Sequence, residues 1–180
     1  MIYVFLAPGF EEIEALAAVD ILRRAGENVA MIGVTESIVK GSHGIRVATD
    51  ATINDVQGTH PDVIVLPGGM PGTLHLEHCH WLQEMITDAY CHGKLICAIC
   101  AAPSILGHMG LLTNREATCF PGFEAELLGA KVKNAPVCRD GNFITANGPG
   151  AALPFALEIV RTLHGDEAAR KLAAAMQYAN

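Results

Sequence analysis

Short runs of apolar residues, each closed by a turn and followed by a stretch of helical period, constrain this chain more than any other feature. Residues 1–6 (MIYVFL), 62–66 (DVIVL) and 95–99 (LICAI) are of strand length and almost wholly apolar. Such runs suit strands buried on both faces, where no polar alternation is needed. Ala7-Pro8-Gly9 turns the chain after the first run, and residues 11–25 then carry Ile13, Leu16, Ala17 and Ile21 at helical spacing. Gly26 stops that helix, as glycine does past a carboxyl end. This βαβα alternation predicts an α/β fold with a mainly parallel sheet covered by helices on both faces.

The rest of the chain continues the pattern. Residues 28–34 read as a strand, and alternating Ile45, Val47 and Thr49 as a short strand or ribbon before a loop around Asp55. One long helix is expected over 73–91, with Trp81, Leu82, Met85 and Ile86 facing inward. A short helix should run from Pro103 to about Leu112, a strand lie near 117–119 and a helix near 122–128. Residues 137–139 and 142–146 pair around Asp140-Gly141. Two helices follow, one after Gly148-Pro149-Gly150 to about Leu163 and one from Asp166 to about Tyr178. Without repeat, low-complexity tract or linker, the reading is one domain over 1–180.

Composition narrows the functions. Hydrophobic residues make up 51% and charged residues 17%, enough to bury a sizeable core without staples. The six cysteines are therefore expected to be free thiols in a reducing cytoplasm. A net charge of -7, with no basic run longer than Arg23-Arg24, lacks the electrostatic footprint of a nucleic-acid binder. The first residues carry no basic leader and too short an apolar run for a signal peptide or membrane span.

In a parallel sheet all strand-to-helix turns lie on one edge, where α/β proteins bind ligands. The turns after Leu6, Leu66 and Ile99 therefore bring Glu11–Glu14, Gly68-Gly69 and Cys100 together. Cys100 ends a buried strand and is followed by Ala101 and Ala102, the small residues that a nucleophile elbow needs to bend its backbone. A helix amino terminus there would favour thiolate over thiol. Cys100 also fits a merely buried cysteine. Gly68-Gly69 fits either donors for an oxyanion or a tight turn, and Glu11, Glu12 and Glu14 fit either catalysis or simple dipole compensation in a first helical turn. Cys97 and Cys100 form a C-x-x-C, but Cys97 lies within the strand and points away from Ile96 and Ala98, unlike a redox pair that opens a helix. His75, His78, Cys79 and His80 read as a solvated helix start, and no metal site or cofactor is expected.

Four motifs in order, Gly9-Phe10-Glu11-Glu12-Ile13-Glu14, Val65-Leu66-Pro67-Gly68-Gly69, Ala98-Ile99-Cys100-Ala101-Ala102-Pro103 and Gly148-Pro149-Gly150, resemble the ThiJ/PfpI superfamily. The likeness is to the branch of the Parkinson-associated protein DJ-one and its bacterial relatives, and it covers nearly the whole chain. The resemblance implies a flavodoxin-like three-layer sandwich and a homodimer. It implies Cys100 as nucleophile, Glu14 as its hydrogen-bonding acid, Gly69 beside Gly68 on the oxyanion side, and the Ala101 amide as second donor. It also implies a glutathione-independent glyoxalase that turns a small 2-oxoaldehyde, methylglyoxal, into lactate, with protein deglycase activity beside it. The alternative is a redox sensor or oxidative-stress chaperone using the same cysteine.

The chain departs from the family's pattern at several places. Protease-like members carry His after the nucleophile, where this chain has Ala101, so a peptidase is not expected. Phe120 stands where relatives carry a pocket His, leaving more of the proton transfer to Glu14. His43 and Asn147 stand where relatives carry anion-binding arginines, which disfavours anionic substrates.

Overall fold

The computed structural model describes residues 1–178. In chain order the elements are β1 (Ile2–Leu6), α1 (Glu12–Arg24), β2 (Val29–Gly33), β3 (Ile38–Lys40), β4 (Arg46–Ala48), β5 (Ala51–Thr52), β6 (Val63–Leu66), α2 (Gly72–Glu77), α3 (His80–Cys91), β7 (Leu95–Ile99), α4 (Pro103–His108), β8 (Glu116–Ala117), β9 (Lys131–Val132), β10 (Val137–Asp140), β11 (Phe143–Ala146), α5 (Ala152–His164) and α6 (Asp166–Ala175). Seven strands form the central sheet in the order β10-β11-β7-β6-β1-β2-β5. All neighbours are parallel except the β10–β11 hairpin. The central order β2-β1-β6-β7-β11 is the flavodoxin-like winding, which reverses direction between β1 and β6.

Alternating side chains divide the core into two layers. Val4, Leu6, Val65, Cys97 and Ile99 face α1 and α5, against Ala18, Leu22, Phe155 and Ile159. Phe5, Ile64, Leu66, Ile96 and Ala98 face α3 and α4, against Leu82, Ile86, Ile105 and Leu106. Each large apolar side chain buried in this way contributes about 1.5–3 kcal/mol. Register aligns the strand ends: Leu66 pairs with Ala98, and Ile99 with Ala146. The turns after β1, β6 and β7 thus open on one edge.

Several local expectations are corrected. The 73–91 helix is two helices, because the chain turns extended at Cys79 and the Gln83 side-chain amide takes the Glu77 carbonyl that a continuing helix would have used. Trp81, at the start of α3, is 47% exposed rather than inward. In α1 the inward stripe is Glu14, Ala15, Ala18, Val19, Ile21 and Leu22, and Ile13 is 56% exposed. The first turn of that inner face holds Glu14 and the small Ala15, so the bulkier Ile13 stood out although it faces outward. The helix expected over 122–128 is only a 3-10 turn at Glu124–Glu126. There the Glu124 carboxylate accepts the Gly122 N–H at 2.7 Å, a local bond that competes with helix formation. The short helix after Cys100 ends at His108, and α6 ends at Ala175.

Candidate active site

Cys100 lies directly after β7 and carries φ 65°, a left-handed conformation that a side chain makes costly. Neighbours hold it there: its N–H donates to the Ala146 carbonyl and its own carbonyl accepts the Phe120 N–H, both at 2.8 Å. The Gly69 and Ala101 N–H groups approach the sulfur. The residue is 8% exposed. This is the geometry of an elbow, with the side chain lifted out of the turn.

Glu14 comes from the first turn of α1, fixed by the Glu11 carboxylate, which caps the helix by accepting the Glu14 N–H at 2.8 Å. The Glu14 side chain is fully buried, and Oε2 accepts the Gly68 N–H at 2.7 Å. Oε1 has no hydrogen-bond partner; the Cys100 thiol and the Glu11 carboxylate are the other groups that act on this carboxyl. Gly68 is required by this closeness. A Cβ there would stand 2.6 Å from Cys100 Cβ and 3.0 Å from Glu14 Oε2. Gly69, at φ 87°, lets the turn fold back so that the Gly68 carbonyl accepts the Glu11 N–H at 2.9 Å.

Burial dominates the acidity of both groups. It raises Glu14 to about 7, against the opposing pull of the Gly68 amide. Cys100 is pushed up to about 12, first by burial and then by the charge of Glu14, and the Gly69 and Ala101 amides offset only part of this. The pull of the turn's N–H groups toward thiolate is thus opposed by burial and by the Glu14 charge. The helix α4 starts at Pro103, and beside an ionised buried carboxylate the thiol keeps its proton. A proton on Glu14 removes that opposing charge and favours the thiolate.

The other named residues fall into place around this pair. Ala101 and Ala102 are buried behind the thiol. Phe120 is 42% exposed at the rim. Asn147 lines a hollow of about 230 Å³ with Thr118, Cys119, Pro121 and Lys133. Cys97 is wholly buried in the α1/α5 layer, where burial holds its pKa far up, and all six cysteines are free. His75, His78 and His80 are exposed and Cys79 is half-buried, as a solvated helix start requires, and His75 Nδ1 also meets the Pro8 carbonyl at 2.8 Å.

Sequence reasoning did not foresee the work of Glu12. Its buried carboxylate accepts the N–H groups of His43 at 2.8 Å and Ile45 at 3.3 Å, the Ser42 hydroxyl at 3.2 Å, and meets His43 Nδ1 at 2.9 Å. These bonds clamp the β3–β4 hairpin onto the start of α1. Burial opposes ionisation of Glu12, but the His43 ring and the backbone donors outweigh it and hold its pKa below the usual value. Glu11, Glu12 and His43 are also the one cluster among the described residues with metal-ligand atoms within 4.8 Å of one another. Only the concentration of acids after a turn hinted at it.

Fold and site define a class: a flavodoxin-like α/β protein with a strained cysteine at the turn after a central strand and a buried glutamate against it. Comparison with known proteins is more specific. The DJ-1/PfpI family matches residues 1–162, and the chain belongs to that family. Protein dj-1beta of Drosophila melanogaster is 36% identical over 173 residues, covering 94% of this chain and 92% of the relative. A Caenorhabditis elegans relative named glutathione-independent glyoxalase DJR-1.2 is 36% identical, covering 90% and 87%. The structure of oxidized Toxoplasma gondii DJ-1 superposes with a TM-score of 0.96 at 36% identity, covering 99% and 98%. The flavodoxin-like sandwich read from the motifs is confirmed. No helix among the described residues is long and apolar enough to cross a membrane.

Proposed function

We propose that the chain is a cysteine-dependent, stress-protective enzyme, a glyoxalase that converts methylglyoxal or a similar 2-oxoaldehyde to the 2-hydroxy acid without glutathione. The observation that carries this reading is the buried Glu14 carboxyl, which flanks Gly68 together with Cys100 and has no hydrogen-bond partner at Oε1. With a pKa near neutrality it can both take and return a proton. A relative 36% identical bears the glyoxalase name.

In this reading the sulfur attacks the aldehyde carbon as Glu14 takes the thiol proton and returns it to the aldehyde oxygen, giving a hemithioacetal. Glu14 then removes the proton from the former aldehyde carbon, forming an enediolate, and a proton is returned to the neighbouring carbon. The product is a 2-hydroxyacyl thioester, isomeric with the hemithioacetal. Water cleaves it, releasing the 2-hydroxy acid and restoring the thiol. The sum is aldehyde plus water to hydroxy acid, with no external oxidant. The Gly69 and Ala101 N–H groups, already directed at the sulfur, would hold the oxygen that gains charge. Deglycase activity would be the same attack on an aldehyde adduct carried by a protein.

A second reading, redox sensing or chaperoning through the same thiol, draws support from the likeness to an oxidized relative. There peroxide would oxidise Cys100 to the sulfinic acid and protonated Glu14 would donate to the product. Two further proposals accompany these. The free cysteines fit a reducing, cytoplasmic setting. The exposed Ile13 and Ile45, which with Pro149 line one shallow apolar hollow, fit a homodimer face.

Purified protein incubated with methylglyoxal and no glutathione should form one lactate per aldehyde consumed. Cys100→Ser should form none. Aldehyde loss without lactate in the unaltered protein would overturn the glyoxalase reading in favour of the second.

A further inference from the structure

The segment that crosses the edge of the site after Thr118 has little regular structure. Between Cys119 and Leu128 it contains only the 3-10 turn at Glu124–Glu126. One end is tied to the nucleophile through the Phe120 N–H. The other lies on α4 at Gly107, where a Cβ would stand 2.2 Å from the Glu126 carbonyl oxygen, so strap and helix touch through bare backbone.

The next residue of α4 supplies a side-chain clasp. His108 Nδ1 is 2.5 Å from Glu77 Oε1, and Nε2 is 2.8 Å from Glu126 Oε2. Glu77 ends α2 and Glu126 belongs to the strap, so one imidazole joins three segments. An ionised carboxylate only accepts hydrogen bonds. A neutral imidazole carries one N–H and serves one of the two, whereas an imidazolium serves both.

We propose that His108, as the imidazolium, is a positioning residue that pins the 119–128 strap beside Cys100, and that loss of its proton frees the Glu126 half of the clasp. Glu126 is the half that yields, because its side chain is 50% exposed while that of Glu77 is 19% exposed. The charged groups acting on the ring are Glu77 from α2 and Glu126 from the strap, and in that order they hold its pKa above 6.5. The clasp is therefore complete on the acid side and lost as pH rises through the folded-state value. Phe120 rides on this strap at the rim, so the clasp sets how a reagent reaches the thiol. The link to turnover rests on the function proposed above; the release does not.

Two measurements test it at about pH 6 and about pH 8.5, on either side of a raised histidine pKa. They are hydrogen-exchange protection of the 119–128 amides and alkylation of Cys100 by iodoacetamide, read peptide by peptide, with exposed Cys91 as internal reference. In the unaltered chain strap protection should fall about twofold to fivefold between the two pH values, the scale of a part-exposed ion pair. His108→Gln should be weakly protected at both, and its Cys100 should alkylate about twofold to fivefold faster than the unaltered chain at the lower pH only. His108→Arg, whose guanidinium donates to both carboxylates at either pH, should stay protected throughout. Equal protection in all three proteins, or an arginine variant that loses protection with pH, would overturn the proposal. If His108→Gln does not fold, Glu126→Leu, which leaves Nε2 no partner on the strap, replaces it, and unchanged protection there is equally fatal. None of these measurements reads turnover, so a failure to make lactate would remove the enzyme reading and leave the clasp standing.

Discussion

The two shoulders of Cys100 are built differently. On the α1 side, Glu14, Gly68 and Gly69 are locked by buried backbone hydrogen bonds, and the Gly68 position has no room for a methyl group. On the other side, Phe120 and the strap behind it are part-exposed and held by a few backbone bonds and one histidine. Proton transfer needs fixed distances, and entry of a substrate needs a wall that can give. Under the proposed function, the contrast gives chemistry to the first shoulder and access to the second.

Changes on the rigid shoulder should be the more severe. Glu14→Gln keeps an acceptor for the Gly68 N–H but cannot carry a proton, and should lower lactate formation by about 10²–10⁴-fold. Cys97→Ser, in the other core position of the C-x-x-C, should keep most of the activity; equal loss in both would break the assignment. Gly68→Ala forces Cys100 or Glu14 to move, and should cost about 1–3 kcal/mol of stability, read from denaturant unfolding, along with activity.

The same glutamate gives an effect of opposite sign. In the unfolded chain it titrates at the ordinary 4.5 and in the fold at about 7. From pH 4.5 upward the unfolded state sheds a proton that the folded state keeps until about 7. Stability therefore falls across that interval and levels above it. Glu14→Gln removes the penalty, so at alkaline pH it should unfold later than the unaltered chain, by about 3 kcal/mol from the size of the shift. The variant should also titrate Cys100 at lower pH, since the neighbouring charge is gone. Stability curves that run parallel from pH 4.5 to 8 would show that Glu14 ionises freely in the fold.

The smallest effect belongs to the soft shoulder. Phe120→Ala should leave the maximal rate nearly unchanged and speed alkylation of Cys100 severalfold. A large fall in maximal rate would show that the rim takes part in the chemistry and end the division between the two sides.

Much of this site could be read from the chain because its parts end buried strands. Apolar runs closed by Pro67-Gly68-Gly69 or by Cys100-Ala101-Ala102 mark strand ends through local chemistry alone, and parallel topology brings the ends together. Glu14 was legible as one of three acids, but only the fold distinguishes it from Glu11, which caps the helix, and Glu12, which clamps the hairpin. What was not legible depended on contacts distant in sequence. The acidity of Cys100 is set first by its own burial and then by a carboxyl 86 positions away, and nothing in the local turn announces either. On α1 the apolar spacing includes Ile21, which packs inward, but also Ile13, which is exposed beside the smaller Ala15 that packs in its place. The helix forecast near Glu124 failed on one side-chain bond to Gly122.

The left-handed backbone at Cys100 has a meaning for how such a chain evolves. Holding a non-glycine residue there costs about 1–2 kcal/mol, and glycine would relieve it. Drift toward a better folder therefore runs toward glycine at position 100, and only a demand for sulfur at that point opposes it. A chain of this shape that has lost its chemistry should surrender the cysteine early and fold the better for it.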